Sequence, residues 1–146
     1  MSIEDATVYV VDDDISVRRG LERLLRSAGH RVVTFASARE FLDRRDIASP
    51  SCLVLDIRMP GQNGLDLHES LAADGRDMPV VFITGNGDIP MAVRAMKAGA
   101  VDFLAKPFDD KELLEAVRQA IDRSSRARRP SPAPRPTPAQ REASGS

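Results

Sequence analysis

The chain has 146 residues, of which 42% are hydrophobic, and its 21 Lys and Arg nearly balance 22 Asp and Glu. This length and composition fit one globular domain with a buried core. They exclude a membrane-spanning protein, because no apolar run approaches the roughly 20 residues that cross a bilayer. The N-terminus has no charged-then-apolar secretion signal. The single cysteine, Cys52, excludes an internal disulfide, so we expect a cytoplasmic protein with this thiol in its core.

The C-terminal end of the chain differs in composition from the rest. Residues 124–146 contain five Arg, one Glu and five of the ten prolines, but almost no large apolar residue. Such a segment cannot offset the entropy cost of ordering by burying apolar surface. We therefore predict a folded domain over residues 1–124 and a disordered tail or linker, rich in Pro, Arg, Ser and Ala, over residues 125–146.

The first predicted elements are two strands, each followed by a helix. The first helix is expected to begin near Asp14, with Gly29 as a left-handed stop. The second strand covers residues 31–35, where β-branched residues are concentrated. Ser37 and Glu40 then have the spacing of a capping box, which indicates the start of the second helix.

Three further strand and helix pairs follow. The third strand ends at Asp56, before a helix over about 64–73, and the fourth ends at Thr84, before a helix over about 89–98. After the fifth strand, Asp109 is placed to cap a final helix with apolar residues at helical spacing. Short apolar strands alternating with helices predict an α/β fold, a doubly wound five-stranded parallel sheet with helices on both faces. Periodicity leaves the strand order open.

Polar residues with related chemistry stand at the ends of the predicted strands. Asp12 and Asp13 follow the first strand, Asp56 ends the third, Thr84 ends the fourth and Lys106 follows the fifth. The carboxyl ends of parallel strands meet at one edge, where open α/β sheets bind their ligands. Carboxylates, a hydroxyl and an ammonium together fit one divalent cation and one transferable phosphoryl group.

With these residues in this order, the chain resembles the receiver domain of bacterial two-component response regulators over about residues 5–124. The motifs that carry the resemblance are Asp12-Asp13, Asp56 followed by Met59-Pro60 and Gly64, Thr84-Gly85, Lys97-Ala98-Gly99-Ala100 and Lys106-Pro107. The segment from Gly87 to Ala92, together with Asp102-Phe103, is similar to the subfamily that usually carries a helix-turn-helix output. The resemblance implies a flavodoxin-like strand order, 2-1-3-4-5.

The resemblance also implies a phosphorelay switch that depends on magnesium. Asp56 would accept a phosphoryl group from a sensor histidine kinase. Asp13 and Asp56 would ligate Mg²⁺ directly, the backbone carbonyl of Arg58 would add a third protein oxygen, and Asp12 would act largely through water. Thr84 and Lys106 would hold the phosphoryl oxygens. The chain would then be a phosphoacceptor with at most slow autodephosphorylation, and not a turnover enzyme.

Thr84 and Phe103 match the switch residues of this family, although an aromatic residue in a short strand is equally typical of a core position. Phosphorylation is expected to change the face formed by the fourth helix, the fifth strand and the fifth helix, and to favour a homodimer. Residues 124–146 contain no helix-turn-helix signal. We therefore expect no direct DNA binding by this chain, and no membrane partner.

Two other functions compete with this interpretation. A haloacid-dehalogenase-like phosphatase would use Asp12 as nucleophile, and residues 10–16 fit its first-strand signature. Such an enzyme needs a late acidic pair, but Asp88 has no second acid at the expected spacing, and Asp56 would have no role. A metal-free interaction module of the same fold is the third option, against which the intact acidic pocket argues.

Overall fold

A computed structural model of the chain describes residues 6–44, 50–57, 64–73, 78–85 and 89–128. Within these ranges, strands and helices alternate. In chain order the elements are β1 (Thr7–Val11), α1 (Ile15–Ser27), β2 (Arg31–Phe35), α2 (Ala38–Leu42), β3 (Ser51–Asp56), α3 (Gly64–Ala73), β4 (Val80–Thr84), α4 (Ile89–Lys97), β5 (Asp102–Ala105) and α5 (Asp110–Arg128). The strands form one parallel sheet in the order β2-β1-β3-β4-β5. The predicted doubly wound fold and its strand order are confirmed.

The sheet has an apolar surface on each side, because successive strand residues point to opposite faces. One surface packs against α1 and α5, and includes Val10, Val54, Ile83 and Leu104 with Leu21, Leu25, Val117 and Ile121. The other packs against α2, α3 and α4, and includes Tyr9, Leu53, Leu55 and Phe82 with Phe41, Leu67, Leu71 and Ala95. Because helices cover both faces of the sheet, the apolar runs in the strands are continuous.

The lone cysteine belongs to this core. Cys52 lies in β3 and is fully buried against the α1 and α5 side. Burial raises the pKa of its thiol, so the group stays protonated and unreactive. The core role predicted for Cys52 is confirmed.

The predicted helix boundaries follow from local chemistry. Asp14 caps α1, its Oδ1 accepting a hydrogen bond of 2.9 Å from the Ser16 backbone N–H, and Ser37 caps α2 in the same manner. After α1 and α4, Gly29 and Gly99 adopt φ angles of +96° and +101°. These are left-handed conformations that residues with a Cβ rarely adopt, which ends each helix at the predicted place.

The C-terminal end of the last described range is helical. Helix α5 continues to Arg128, four residues past the domain boundary predicted at residue 124. Ser124 is buried, and its Oγ accepts a hydrogen bond of 3.0 Å from the backbone N–H of Ser51, at the start of β3. This contact holds the C-terminal part of α5 against the start of β3. The rest of the predicted tail, 129–146, lies outside the described residues.

Over the part of the chain that the structure describes, no helix combines the length and apolar character required to span a bilayer.

Candidate functional site

The carboxyl ends of four strands bring the predicted polar residues to one edge of the sheet. The strand register sets β1 and β3 level, Val11 lying opposite Leu55. It also places Asp56 opposite Ile83 of β4. Carboxylate oxygens of the acid cluster, Asp12, Asp13 and Asp56, all lie within 4.8 Å of one another. The sequence prediction that these carboxylates converge is therefore confirmed by the fold.

The two adjacent acids after β1 lie in different surroundings. Asp12 is fully buried, and its Oδ1 accepts a hydrogen bond of 2.9 Å from the Asp14 backbone N–H. Its Oδ2 is also buried and accepts no hydrogen bond from the described residues. Asp13 is exposed, so it forms the solvent side of the acid cluster. A cation or phosphodonor approaching from solvent therefore meets Asp13 before Asp12.

Burial makes the charged form of Asp12 costly. Desolvation raises the pKa of Asp12 above its usual value, and the negative charge of Asp13 adds to this. The Asp14 N–H and the Lys106 ammonium oppose the rise without cancelling it. A divalent cation among these carboxylates would relieve the same electrostatic cost.

Lys106 lies between the two buried acids. Its Nζ is 3.6 Å from Asp12 Oδ2 and 3.8 Å from Asp56 Oδ2, distances of ion pairs without a short hydrogen bond. The Lys106 backbone N–H donates a bond of 2.7 Å to the carbonyl of Thr84, which ties the ends of β4 and β5 together. The Lys106-Pro107 peptide bond is cis. Among the described residues, the Lys106 ammonium thus pairs with two of the three carboxylates of the acid cluster.

Thr84 and Phe103 lie close to each other in the sheet, on β4 and β5. Thr84 is fully buried. Phe82 lies two residues before Thr84 and therefore on the same face of β4. Phe103 is opposite Phe82 in the register, with ring centroids 6.5 Å apart. Phe103 is only partly buried against the core. A partly buried ring at this position is compatible with a core role and with a switch role for Phe103.

Gly64 lies in close contact with the end of β3. A Cβ at Gly64 would lie 2.8 Å from the carbonyl oxygen of Asp56, 2.9 Å from Ile57 Cα and 3.2 Å from Phe82 Cε1. The Gly64 N–H donates a bond of 2.8 Å to the Ile57 carbonyl, which holds the chain in this position. Gly64 therefore lets α3 begin directly against the strand end that carries Asp56.

Arg18 is a neighbour of the site that the sequence analysis missed. Its Nη1 donates a hydrogen bond of 2.7 Å to the backbone carbonyl of Asp12. The available signal was spacing, because Arg18 lies four residues after the Asp14 cap and can reach back over the first helical turn. By contrast, Arg58, whose carbonyl was predicted as a metal ligand, lies outside the described residues, as do Met59 and Pro60.

The acid cluster fits a hard divalent cation. It offers carboxylate oxygens from three residues, and one of these oxygens, Asp12 Oδ2, is buried without a hydrogen-bond donor among the described residues. Carboxylates are the ligands that Mg²⁺ and Ca²⁺ prefer in proteins. The described residues therefore form a pocket that could bind a metal.

A flavodoxin-like sheet with an acid cluster and a lysine at its carboxyl edge is the arrangement of receiver domains. Residues 8–118 match the response regulator receiver domain family, and the chain belongs to it. This family consists of signalling switches in two-component phosphorelays. The comparisons give no support to the phosphatase alternative that would use Asp12.

Among curated proteins, the chain is 57% identical to Nodulation protein W of Bradyrhizobium diazoefficiens, over 84% of this chain and 54% of that protein. It is 45% identical to Response regulator protein TmoT of Ectopseudomonas mendocina, over 98% and 65%, respectively. It is 48% identical to Transcriptional regulatory protein FixJ of Azorhizobium caulinodans, over 84% and 58%. The chain thus spans about half to two thirds of the length of these relatives.

Solved structures show the same relationship. The response regulator StyR superposes with a TM-score of 0.80 and 54% identity, over 85% of this chain and 63% of that one. The structure called FixJ-N gives a TM-score of 0.74 and 43% identity, over 84% and 96%.

Proposed function

We propose that this chain is a magnesium-dependent switch in which Asp56 accepts a phosphoryl group from the phosphohistidine of a sensor histidine kinase. The observation that carries the proposal is the convergence of Asp12, Asp13 and Lys106 on the Asp56 carboxylate. Family membership supports it, because response regulators receive their signals from sensor kinases.

Asp56 is the proposed nucleophile because of its position. It lies at the very end of β3, is largely buried, and has the Lys106 ammonium 3.8 Å from its Oδ2. The carboxylate oxygen attacks phosphorus and forms an acyl phosphate, while the imidazole of the kinase leaves with the electron pair of the broken P–N bond. Phosphoryl transfer needs positioning and charge neutralisation more than it needs further covalent chemistry.

The acid cluster is the proposed magnesium site. Asp13 and Asp56 would be direct ligands, Asp12 would act largely through water, and the Arg58 carbonyl would complete the protein ligands. Magnesium keeps several of its waters, so this small protein set suffices. When bound, the ion neutralises charge on the phosphoryl oxygens. Its contribution is supported by the raised pKa of Asp12, which burial and the neighbouring Asp13 charge cause, and by the buried Asp12 Oδ2.

Lys106 and Thr84 are proposed to hold the remaining phosphoryl oxygens. The Lys106 ammonium already lies near the Asp56 carboxylate, and Thr84, which carries the hydroxyl, is the last residue of the neighbouring strand β4. A charge-assisted hydrogen bond from the ammonium and a hydroxyl hydrogen bond stabilise the oxygens of the bound group. We propose that hydrolysis of the acyl phosphate by the chain itself is at most slow.

Incubation with a small-molecule phosphodonor and Mg²⁺ tests the proposal. We expect the mass of the intact chain to rise by one phosphoryl group, with peptide mapping assigning the group to Asp56. Repeated turnover of the donor through Asp12 would instead support a phosphatase. No modification under conditions that label another receiver domain would support a plain interaction module.

The metal proposal predicts that Asp13→Lys weakens magnesium binding strongly. The substitution removes a carboxylate ligand and places an ammonium where the cation would lie. Because Asp13 is exposed, the fold should be retained, and the far-ultraviolet circular dichroism spectrum checks this. A magnesium titration that is the same in both proteins would show that the cation binds elsewhere or not at all.

Phosphorylation is proposed to act through β4 and β5. The new dianion at Asp56 attracts Thr84 and Lys106, whose strand ends are already joined by a backbone hydrogen bond. Inward movement of Thr84 vacates space that the partly buried ring of Phe103 can enter. The surface of α4, β5 and α5 then repacks. Helix α4 presents exposed Ile89, Val93 and Met96 there, and we propose that this face forms a homodimer.

We expect sedimentation velocity to show a monomer-to-dimer shift when a phosphoryl mimic such as beryllium fluoride is added with Mg²⁺. Changing a population from 1:99 to 99:1 needs roughly 5.5 kcal/mol of differential interaction, which contacts to one dianion can supply. Thr84→Ala and Lys106→Ala should reduce the shift.

A matched pair of variants tests the position of the interface. Ile89 and Ile15 are both exposed isoleucines at the first position of a helix, but Ile15 lies on α1, away from the proposed face. Ile89→Ser should weaken the dimer, and Ile15→Ser should not. A bound mimic with no change in association would disprove this switch mechanism while leaving the phosphorylation chemistry intact.

The organisation of the whole protein is also a proposal. We propose a receiver domain that ends with α5 and a Pro- and Arg-rich linker over 129–146, on compositional grounds. One relative is called a transcriptional regulatory protein. We propose that the whole protein is a cytoplasmic regulator whose DNA-binding part is separate from this receiver. A reading frame that ends at Ser146 would contradict the last point.

A further inference from the structure

We propose that Arg18 is a positioning residue that shapes the acid loop, residues 12–14, to favour magnesium over larger divalent cations. The inference rests on the proposed function, because it assumes that the acid cluster is the metal site. It concerns a residue on α1 whose side chain reaches back across the first turn of its own helix to the main chain of the site.

The contact is short and directed. Arg18 Nη1 donates a hydrogen bond of 2.7 Å to the backbone carbonyl of Asp12, in partly buried surroundings. The same peptide unit joins Asp12 to Asp13, so fixing this carbonyl restricts the direction in which both carboxylates leave the main chain. A long, flexible side chain is ordered by this bond, and ordering it has an entropic cost that the contact must offset.

The bond from Arg18 completes a set of ties around the acid loop. The Asp12 N–H donates to the carbonyl of Phe35 at 3.2 Å, which fixes the loop to β2. The Asp14 N–H donates to Asp12 Oδ1 at 2.9 Å, and the Asp14 side chain caps α1. These ties hold the N–H and one carboxylate oxygen of Asp12, and Arg18 holds its carbonyl. The oxygen left without a hydrogen bond from the described residues is Asp12 Oδ2, on the side of the acid cluster.

Electrostatics alone does not explain why the positively charged Arg18 side chain lies beside the acid loop. A guanidinium near the start of a helix opposes the positive end of the helix dipole. It also repels any divalent cation that enters the acid cluster. This repulsion is the same for Mg²⁺ and Ca²⁺, because the two ions carry equal charge. An effect of Arg18 on the preference between them must therefore come from geometry.

Magnesium and calcium differ in how much geometry they demand. Mg²⁺ needs a near-ideal octahedron of oxygens at about 2.0–2.1 Å, whereas Ca²⁺ accepts longer and less regular arrangements. A loop with fixed carboxylate directions favours the smaller ion. Loosening the loop should therefore weaken Mg²⁺ binding more than Ca²⁺ binding.

The test compares Mg²⁺ and Ca²⁺ titrations of the full chain, followed by nuclear magnetic resonance, for wild type, Arg18→Met, Arg18→Lys and Arg19→Met. Arg19→Met is the matched control, because Arg19 is the exposed neighbour on the same helix and its loss changes net charge equally. We expect Arg18→Met to lower the ratio of Mg²⁺ to Ca²⁺ affinity by about fivefold, which corresponds to one hydrogen bond of typical net strength. Arg18→Lys should restore part of the ratio, and Arg19→Met should leave it unchanged.

Hydrogen exchange without metal gives a second readout. The Asp14 amide, which donates to Asp12 Oδ1, should exchange faster in Arg18→Met than in Arg19→Met. Equal changes in both affinities, or an unchanged ratio with unchanged exchange, would overturn the positioning role. If Asp56 were still phosphorylated in that case, the proposed function would stand. Failure of the wild type to bind either ion at the acid cluster would instead overturn the proposed metal site, and the inference with it.

Discussion

Asp56→Asn is expected to abolish magnesium-dependent phosphoryl labelling completely. The amide has no carboxylate oxygen to attack phosphorus, and it removes one of the proposed metal ligands. Asp12 should not substitute for it. Asp12 Oδ1 is held by the Asp14 N–H, and the carboxylate is fully buried beside Lys106. Mass spectrometry of the intact chain after reaction with a phosphodonor measures the loss.

This loss should occur in a folded protein. Asp56→Asn relieves repulsion among crowded carboxylates but also removes the ion pair with Lys106, so the free energy of unfolding should change little. Asp14→Asn is the matched control, since Asn caps helices as well as Asp does and the change removes a charge from the same loop. Labelling should persist in the control. Full labelling of Asp56→Asn, mapped to another residue, would refute the assignment.

Gly64→Ala and Gly20→Ala should change stability in opposite directions. At Gly64 the new methyl group would meet the Asp56 carbonyl and Ile57 Cα at under 3.0 Å, and these backbone atoms cannot turn away as a side chain can. We expect the free energy of unfolding to fall by roughly 1–3 kcal/mol. Gly20 lies within α1, where a Cβ would meet nothing within 4 Å. Gly20→Ala should therefore raise the free energy of unfolding by roughly 0.5–1 kcal/mol.

Urea unfolding followed by circular dichroism measures both values. Phosphoryl labelling of Gly64→Ala should also slow, because the atom that must give way is the carbonyl of the proposed phosphoacceptor itself. Labelling of Gly20→Ala should be unchanged. A Gly64→Ala variant as stable as the wild type would show that the close approach of α3 to β3 is not under the steric constraint described here.

Local chemistry in the sequence was sufficient to predict most of the architecture. Continuous apolar runs predicted strands buried on both faces, and Asp14, Gly29 and Ser37 predicted where helices begin and end, since capping and left-handed stops depend on a few neighbouring residues. The convergence of Asp12 and Asp56 was also predictable. Parallel strands end at the same edge of the sheet, whatever the details of packing.

The remaining features depend on contacts between residues that are distant in the chain. Ser124 in α5 accepts a hydrogen bond from the backbone N–H of Ser51, and composition carries no trace of that pairing. The burial of Asp12 beside an exposed Asp13 arises from the packing of β1 in the sheet, although the two residues are chemically identical.

Gly64 shows the same division between sequence and tertiary structure. Its place in a motif was visible, but its contact with the Asp56 carbonyl requires the position of α3 on β3. The sequence therefore determined which groups reach the edge of the sheet, because strand ends and caps are local. Their burial, spacing and charge environment were determined by the folded chain, because desolvation and close contact arise only once the segments pack together.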